Sequence, residues 1–284
     1  MQSVGISAKV TSQEALEYAA KVIEQLRGRG LNVCLDFATA DKLNDRGPCV
    51  AKTDLGRRSD LLITFGGDGT LLSVARQAPA GVPIIGVNMG TLGFLTEILV
   101  EEFPAILERV LAGKYETEAR VTFDVVVEGE GREPRIYRVL NDATINKSAL
   151  ARIIEMRVSV SGQFVSTFRA DGLIVSTPTG STAYNLSAGG PIVYPTMGAV
   201  ILTPICPHML SNRPLVLPDH LEVEIGIETK NQEIFLTLDG QEGVPISERD
   251  HVRVRKSKET VLLVQSPDKN YFDVLRNKLK WGES

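Results

Sequence analysis

The hydrophobic period of this chain changes near residue 118, and that change restricts the fold more than any other feature. Before it, apolar residues follow helical spacing or form short buried runs. Leu16, Ala19, Ala20, Ile23 and Leu26 share one helical face, behind a capping box predicted at Thr11 and Glu14 and before a stop at Gly28 and Gly30. Leu31 to Leu35, Leu61 to Phe65 and Ile84 to Val87 read as strands, and Glu101 to Ala112 reads as a helix ended by Gly113. Strands alternating with helices predict an open α/β domain. After residue 118 the period is two. Val121, Phe123, Val125 and Val127 fall on one face, as do Ile154, Met156, Val158 and Val160, and Leu221, Val223, Ile225 and Ile227. Further strands are predicted at Ile234 to Leu238, His251 to Arg255 and Val261 to Val264, so the second domain should be β-rich. Helical spacing returns through Phe272, Leu275 and Leu279. The predicted division is therefore residues 1–118 with 268–284 returning to them, and residues 119–267.

Two hundred and eighty-four residues, 43% apolar and 23% charged, suffice for sizeable cores without disulfides or structural metal. A net charge of −4 supplies no basic field for nucleic acid or an anionic membrane. Cys34, Cys49 and Cys206 are far apart and odd in number, which suits a reducing cytoplasm rather than a disulfide or zinc framework. His208, His220 and His251 lack metal-ligand spacing. The opening residues lack a long apolar stretch, and no run of about 18 apolar residues occurs. The expectation is a soluble cytoplasmic protein.

Two segments carry chemistry. Gly66-Gly67-Asp68-Gly69-Thr70 lies between a buried strand and a helix. Glycines there allow close approach to a phosphate, and a helix N-terminus offers free amides. An aspartate among those amides would repel phosphate unless it binds a metal or takes a proton from an attacking hydroxyl. The same residues can also be read as a glycine turn capped by Asp68. Neither a Walker loop nor a dinucleotide G-x-G-x-x-G fits, since no Gly-Lys-Ser/Thr follows and the spacing fails at Leu72. The second segment runs from Asp171 to Pro191. Its hydroxyls and small residues can bond ribose and phosphate oxygens while Tyr184 covers a flat ring, although a turn region in a β domain has the same composition.

Together these segments resemble the motif set of the NAD kinase family, of the bacterial, ATP- or polyphosphate-dependent type. The likeness includes Asn141-Asp142, Asn88-Met89-Gly90-Thr91-Leu92-Gly93-Phe94-Leu95, Pro207 to Pro214 and Tyr271 to Arg276, in the family's order over most of the chain. Gly-Gly-Asp-Gly is shared with diacylglycerol, sphingosine and 6-phosphofructo kinases. Thr-Pro-Thr-Gly-Ser-Thr-Ala-Tyr, at 177–184, is far more specific.

The resemblance implies phosphorylation of the 2′-hydroxyl of the adenosine ribose of NAD, with the dinucleotide in a cleft between the domains. It makes Asp68 the proton acceptor and places Gly66, Gly67, Gly69 and Thr70 at phosphates. Asp68 and Gly69 border NAD, and Asn141 and Asp142 hold its ribose; Asp142 stands where the family more often has Glu. Arg152 and Arg169 lie near the dinucleotide, Asp171 and Thr182, Ala183, Tyr184, Asn185, Leu186 and Ser187 line its ends, and Phe94 and Gln241 lie close by. His208 is read as structural. A divalent ion, Mg²⁺ held mainly by donor phosphates, is implied without a protein cage, as is a homodimer or homotetramer with sites near a subunit contact. A lipid kinase would need an apolar acceptor pocket, against the polar 177–187 run. A non-catalytic NAD sensor would have little use for Asp68 among phosphate-binding amides.

Overall fold

The first six-residue strand of the chain, Ser3–Ala8, pairs in parallel with both Asn32–Asp36 and Leu61–Gly66, and so sits inside a sheet that the helices cover. The computed structural model describes residues 1–148, 152–209 and 211–281. Its chain divides into two compact units, Met1–Ala119 with Thr260–Ser284, and Arg120–Glu259. The first is α/β and the second β-rich.

In the α/β unit the parallel order runs Cys49–Val50, Asn32–Asp36, Ser3–Ala8, Leu61–Gly66, Pro83–Asn88, and then the last residues of the strand Asp250–Val264. Every residue of Leu61–Gly66 and Pro83–Asn88 is buried, as strands covered on both faces require. The helix Gln13–Gly28 lays Leu16, Ala19, Ile23 and Leu26 on this sheet. Its N-cap is Ser12, whose Oγ accepts from the Ala15 amide at 3.3 Å, so the cap lies one residue after the predicted Thr11, and with Ala15 at the third position the predicted Thr11–Glu14 box does not form. Gly30, at φ 78°, turns the chain after the helix. Tyr18, Phe65 and Phe103 pack edge to face at 5.5–6.1 Å between centroids. The helix Tyr271–Leu279 is capped by Asn270 with Asp273 and buries Val274 and Leu275.

The β-rich unit is a sandwich. One layer runs Gln163–Ala170, Ile154–Val160, Val223–Ile227 and the first part of Asp250–Val264, all antiparallel. The other runs Leu215–Pro218, Ala199–Ile205, Gly172–Ser176, Asp142–Lys147, Ile234–Leu238 and Glu242–Ile246. Met156, Val158 and Ile225 meet Ile145, Leu173, Val175 and Leu236 in its core. The two strands predicted at 251–255 and 261–264 are one continuous strand of 15 residues. Among the described residues no helix is long and apolar enough to cross a membrane.

Candidate active site

The α/β unit contributes the strand–turn–helix from Leu61 to Ala75. Gly66 ends the strand where a side chain would collide with Thr70. Gly67, facing open space, is the N-cap of the helix Asp68–Ala75, and Thr70 N donates back to Gly67 O at 2.9 Å. Asp68 is thus the first helical residue and not the cap that a turn reading would make it. Gly69 is exposed in that first turn. The positive dipole end of the helix makes this a place for anions.

Asp68 nevertheless points its carboxylate at another loop. Oδ1 accepts from Leu95 N at 3.1 Å, Thr96 N at 2.9 Å and Thr96 Oγ1 at 2.8 Å, while Oδ2 accepts from Phe94 N at 2.9 Å. Asn88 braces the same loop from within, donating to Thr91 O and Thr96 O and accepting from Gly90 N. Gly93 leaves no room for a methyl group, which would strike Asp68 Oδ1 and Thr96 Oγ1. The carboxylate is therefore well satisfied by protein donors, three on Oδ1 and one on Oδ2. Phe94 is half-buried, with the Lys278 ammonium 5.8 Å from its ring centroid. The amides around Asp68 lie 26–28 residues away, and sequence reasoning named only Phe94 among them.

The β-rich unit contributes the turn ahead of Asp142–Lys147. Asn141 and Asp142 are buried, at 9% and 4% exposure. Asn141 O accepts from Thr177 N at 2.8 Å, and Leu140 O accepts from Thr177 Oγ1 at 2.6 Å. Gly180 packs so closely that a side chain would meet Asn141 O, so the Pro178-Thr179-Gly180 turn must lie backbone against backbone on Asn141. Asn141 Oδ1 and Thr179 Oγ1 are buried without a hydrogen-bond partner. Asp142 receives Thr144 Oγ1 at 3.0 Å. Burial and the neighbouring Asp239 carboxylate push the Asp142 carboxyl up to about 7, against a smaller downward effect of Thr144. An unpartnered buried acceptor such as Asn141 Oδ1 is a place where a ligand's hydroxyl would be welcome.

Farther along, Asn185 is completely buried. Its amide donates to Ser181 O and Pro191 O, both at 3.0 Å, and its Oδ1 accepts from Thr203 Oγ1 at 2.6 Å. Its side chain holds the 181–191 segment together from inside. Tyr184 and Ser187 are exposed on the same short helix, Tyr184–Ser187, while Thr182, Ala183 and Leu186 are half-buried. Gln241 is exposed after the left-handed pair Asp239 (φ 51°) and Gly240 (φ 64°).

Arg152, Arg169 and Asp171 line one cavity of about 650 Å³ with Lys147, Glu155 and Gln232. Within it Arg169 Nε lies 3.0 Å from Glu155 Oε1, and Lys147 Nζ lies 3.6 Å from Asp171 Oδ1. Lys147 and Glu155 were not singled out from the sequence. His208 is exposed, and its amide donates to Arg169 O at 2.9 Å. Leu210, within the quoted 207–214 motif, lies outside the described residues. Among the described residues no cluster of three or more His, Cys, Asp or Glu side chains could hold a metal.

Residues 4–115 match the ATP-NAD kinase N-terminal domain family, and residues 140–266 match the ATP-NAD kinase C-terminal domain family. The NAD kinase of Syntrophotalea carbinolica is 48% identical over 284 residues, covering all of both chains. That of Geobacter sulfurreducens is 46% identical over the same length, again covering all of both chains. A crystal structure of yeast NADH kinase complexed with NADH superposes with a TM-score of 0.89 at 26% identity, covering 100% of this chain and 89% of that one. An NAD kinase from Archaeoglobus fulgidus in complex with ATP gives 0.76 at 25% identity, over 98% and 99% of the two chains. Fold and motifs place the chain among the phosphotransferases built from an α/β and a β-rich domain. The chain belongs to the NAD kinase family.

Proposed function

We propose that this chain transfers a phosphoryl group from ATP, or from polyphosphate, to the 2′-hydroxyl of the adenosine ribose of NAD, giving NADP. The observation that carries the reading is the buried, unpartnered Oδ1 of Asn141 beside the buried carboxyl of Asp142 on one braced turn. The 3′-hydroxyl of the ribose would donate to this turn, leaving the hydrogen of the neighbouring 2′-hydroxyl for Asp68. Asp68 takes the proton of the 2′-hydroxyl through Oδ2. The freed oxygen attacks the terminal phosphorus of the donor, the bond to the leaving phosphate breaks, and the proton later passes to solvent. Gly66, Gly67, Gly69 and Thr70 form the turn at the helix N-terminus, whose positive dipole end would meet the phosphates. Gly69, Phe94, Arg152, Arg169, Asp171, the 182–187 segment except the completely buried Asn185, which positions it, and Gln241 complete the contacts with NAD.

A divalent ion, Mg²⁺ by its preference for phosphate oxygens, would neutralise donor charge. In this reading the ion would be held mainly by the donor phosphates. Three free thiols suit a reducing cytoplasm. A homodimer or homotetramer is proposed, to be checked by light scattering.

The test is direct. Protein, NAD, ATP and Mg²⁺ are incubated, and NADP is read with an NADP-specific dehydrogenase. NADP formation by the wild type, reduced at least a hundredfold in Asp68→Asn, is expected from the usual effect of a positioned base, about 10²- to 10⁴-fold. NAD binding without turnover would make the protein a sensor, and phosphorylation of diacylglycerol in place of NAD would make it a lipid kinase.

A further inference from the structure

Asp239 occupies an unusual position. Its carboxylate collects three consecutive backbone amides, from Leu140 (3.1 Å to each oxygen), Asn141 (2.7 Å) and Asp142 (3.1 Å). Its own amide donates to Asp142 O at 2.9 Å, so the two residues are tied in both directions. Asp239 is 6% exposed and adopts a left-handed backbone, φ 51°, which a non-glycine residue takes up only when its surroundings fix it. A carboxylate receiving several amide donors is held in its charged form. Asp142, on the adjacent strand end, has one donor from Thr144 on its own strand and faces Ser176 across the pair with Gly172–Ser176. Among the described residues the charged group acting on Asp142 is Asp239.

We propose that Asp239 is a positioning residue for ribose recognition: its carboxylate fixes the turn that presents Asn141 and Asp142, and its charge couples dinucleotide binding at Asp142 to the release of a proton. The inference deepens the reading that Asn141 and Asp142 hold the adenosine ribose, and rests on it. The balance is simple. In the free protein Asp142 carries a proton through much of the range below pH 7. A ribose hydroxyl donates to the ionised carboxylate, so on binding the carboxylic O–H gives its proton to solvent and a hydroxyl hydrogen bond replaces it.

The experiment uses the full chain and two variants with opposite expected effects. Asp239→Asn keeps an oxygen for the amides and removes the charge. Thr144→Val removes the hydroxyl that favours ionised Asp142 at nearly constant volume. The Asp142 carboxyl is titrated by carbon NMR in the nucleotide-free proteins, identified by its absence in Asp142→Asn, and KM for NAD and kcat are measured against pH. Asp239→Asn should move both the carboxyl midpoint and the KM limb to lower pH, by about one unit or more, the scale of a close like charge. Thr144→Val should move both upward, which tests the link between Asp142 and NAD, and Asp239→Ser takes the place of Asp239→Asn if that variant does not fold, with the same downward shift expected. A general loosening of the turn would raise KM at every pH without moving the limb. An unmoved midpoint, or a KM limb that does not follow the midpoint, overturns the proposal. A wild type that makes no NADP at any pH would instead sink the kinase reading, while the NMR titrations would still decide whether Asp239 controls Asp142.

Discussion

Substituting Asp68 by Asn should lower stability and turnover by separable amounts. The carboxylate accepts four hydrogen bonds, three on Oδ1 and one on Oδ2. An Asn in the same rotamer keeps its carbonyl oxygen toward Leu95 and Thr96, and turns an NH₂ toward the Phe94 amide, where an acceptor is needed. The loss is one charge-assisted hydrogen bond and the weakening of three others. A hydrogen bond to a charged group is worth roughly 1.5–3 kcal/mol, and each kcal/mol lowers the melting temperature of a domain this size by about 2–4 °C, so a fall of roughly 3–12 °C is expected. Turnover should fall about 10²- to 10⁴-fold, or about 3–5.5 kcal/mol in the barrier.

Gly93→Ala separates the two effects. It leaves the acid in place but forces its Oδ1 away from the loop, because the new methyl collides with that atom. It should lose stability by about 1–3 kcal/mol, as overpacking does, and keep an ionisable group at residue 68. Differential scanning fluorimetry reads the first quantity, and the NADP assay at saturating substrates reads the second. Asp68→Asn with its melting temperature lowered as expected but turnover within about tenfold of wild type would refute proton acceptance. Asp68 would then be a loop clamp and nothing more.

Asp142→Ala should raise KM for NAD by roughly ten- to a hundredfold, from the loss of about 1.5–3 kcal/mol, and leave KM for ATP nearly unchanged. A selective rise for ATP would put Asp142 on the other substrate. Because the folded Asp142 carboxyl is raised from 3.8 to about 7, the folded state binds more protons than the unfolded one across that window. Its contribution to stability is full below the unfolded value, is lost as pH rises through about 7, and disappears in Asp142→Asn; urea midpoints between pH 4 and 8 check this. NAD with 2′-deoxyadenosine should bind as a competitive inhibitor, losing about 0.5–1.5 kcal/mol, and should never be turned over. Phosphorus NMR of the product from ordinary NAD checks the same orientation, and a phosphate on the nicotinamide ribose would reverse it.

Strands with one buried face were readable from the sequence. Ile154–Val160 and Ile234–Leu238 alternate in burial because a polar residue costs little on the open side. Gly172–Ser176 was absorbed into a hydroxyl-rich run, since it is buried on both faces and shows no alternation. The Asp250–Val264 strand looked like two because exposed Lys256 and Lys258 interrupt its apolar period while its hydrogen bonding continues. The motifs marked Asp68, Asn141 and Asp142, but not what holds them. Asp239 reaches amides 97–99 positions earlier. Backbone amides carry no side-chain pattern, so only the folded chain reveals that bond. Lys147 and Glu155 were missed for a related reason: singly, each is an ordinary strand-face charge, and only the cavity groups them with Arg169 and Asp171.

One device appears in both units with different consequences. In the α/β unit Asp68 draws in the amides of Phe94, Leu95 and Thr96, and in the β-rich unit Asp239 draws in those of Leu140, Asn141 and Asp142. A carboxylate is suited to this because its two oxygens accept several donors at once and bind charged, which makes each bond stronger than a neutral one. The difference lies in what each acid has left. Asp68 is half-buried at a helix N-terminus with one donor on Oδ2, so it orders a loop and, in the proposed reaction, takes the proton through Oδ2. Asp239 is buried and engaged by amides on both oxygens, so its effect on chemistry must pass through a neighbour, and Asp142, one strand end away with one donor of its own, is that neighbour. Replacing Asp68 should therefore act on turnover, and replacing Asp239 on the pH at which NAD is bound.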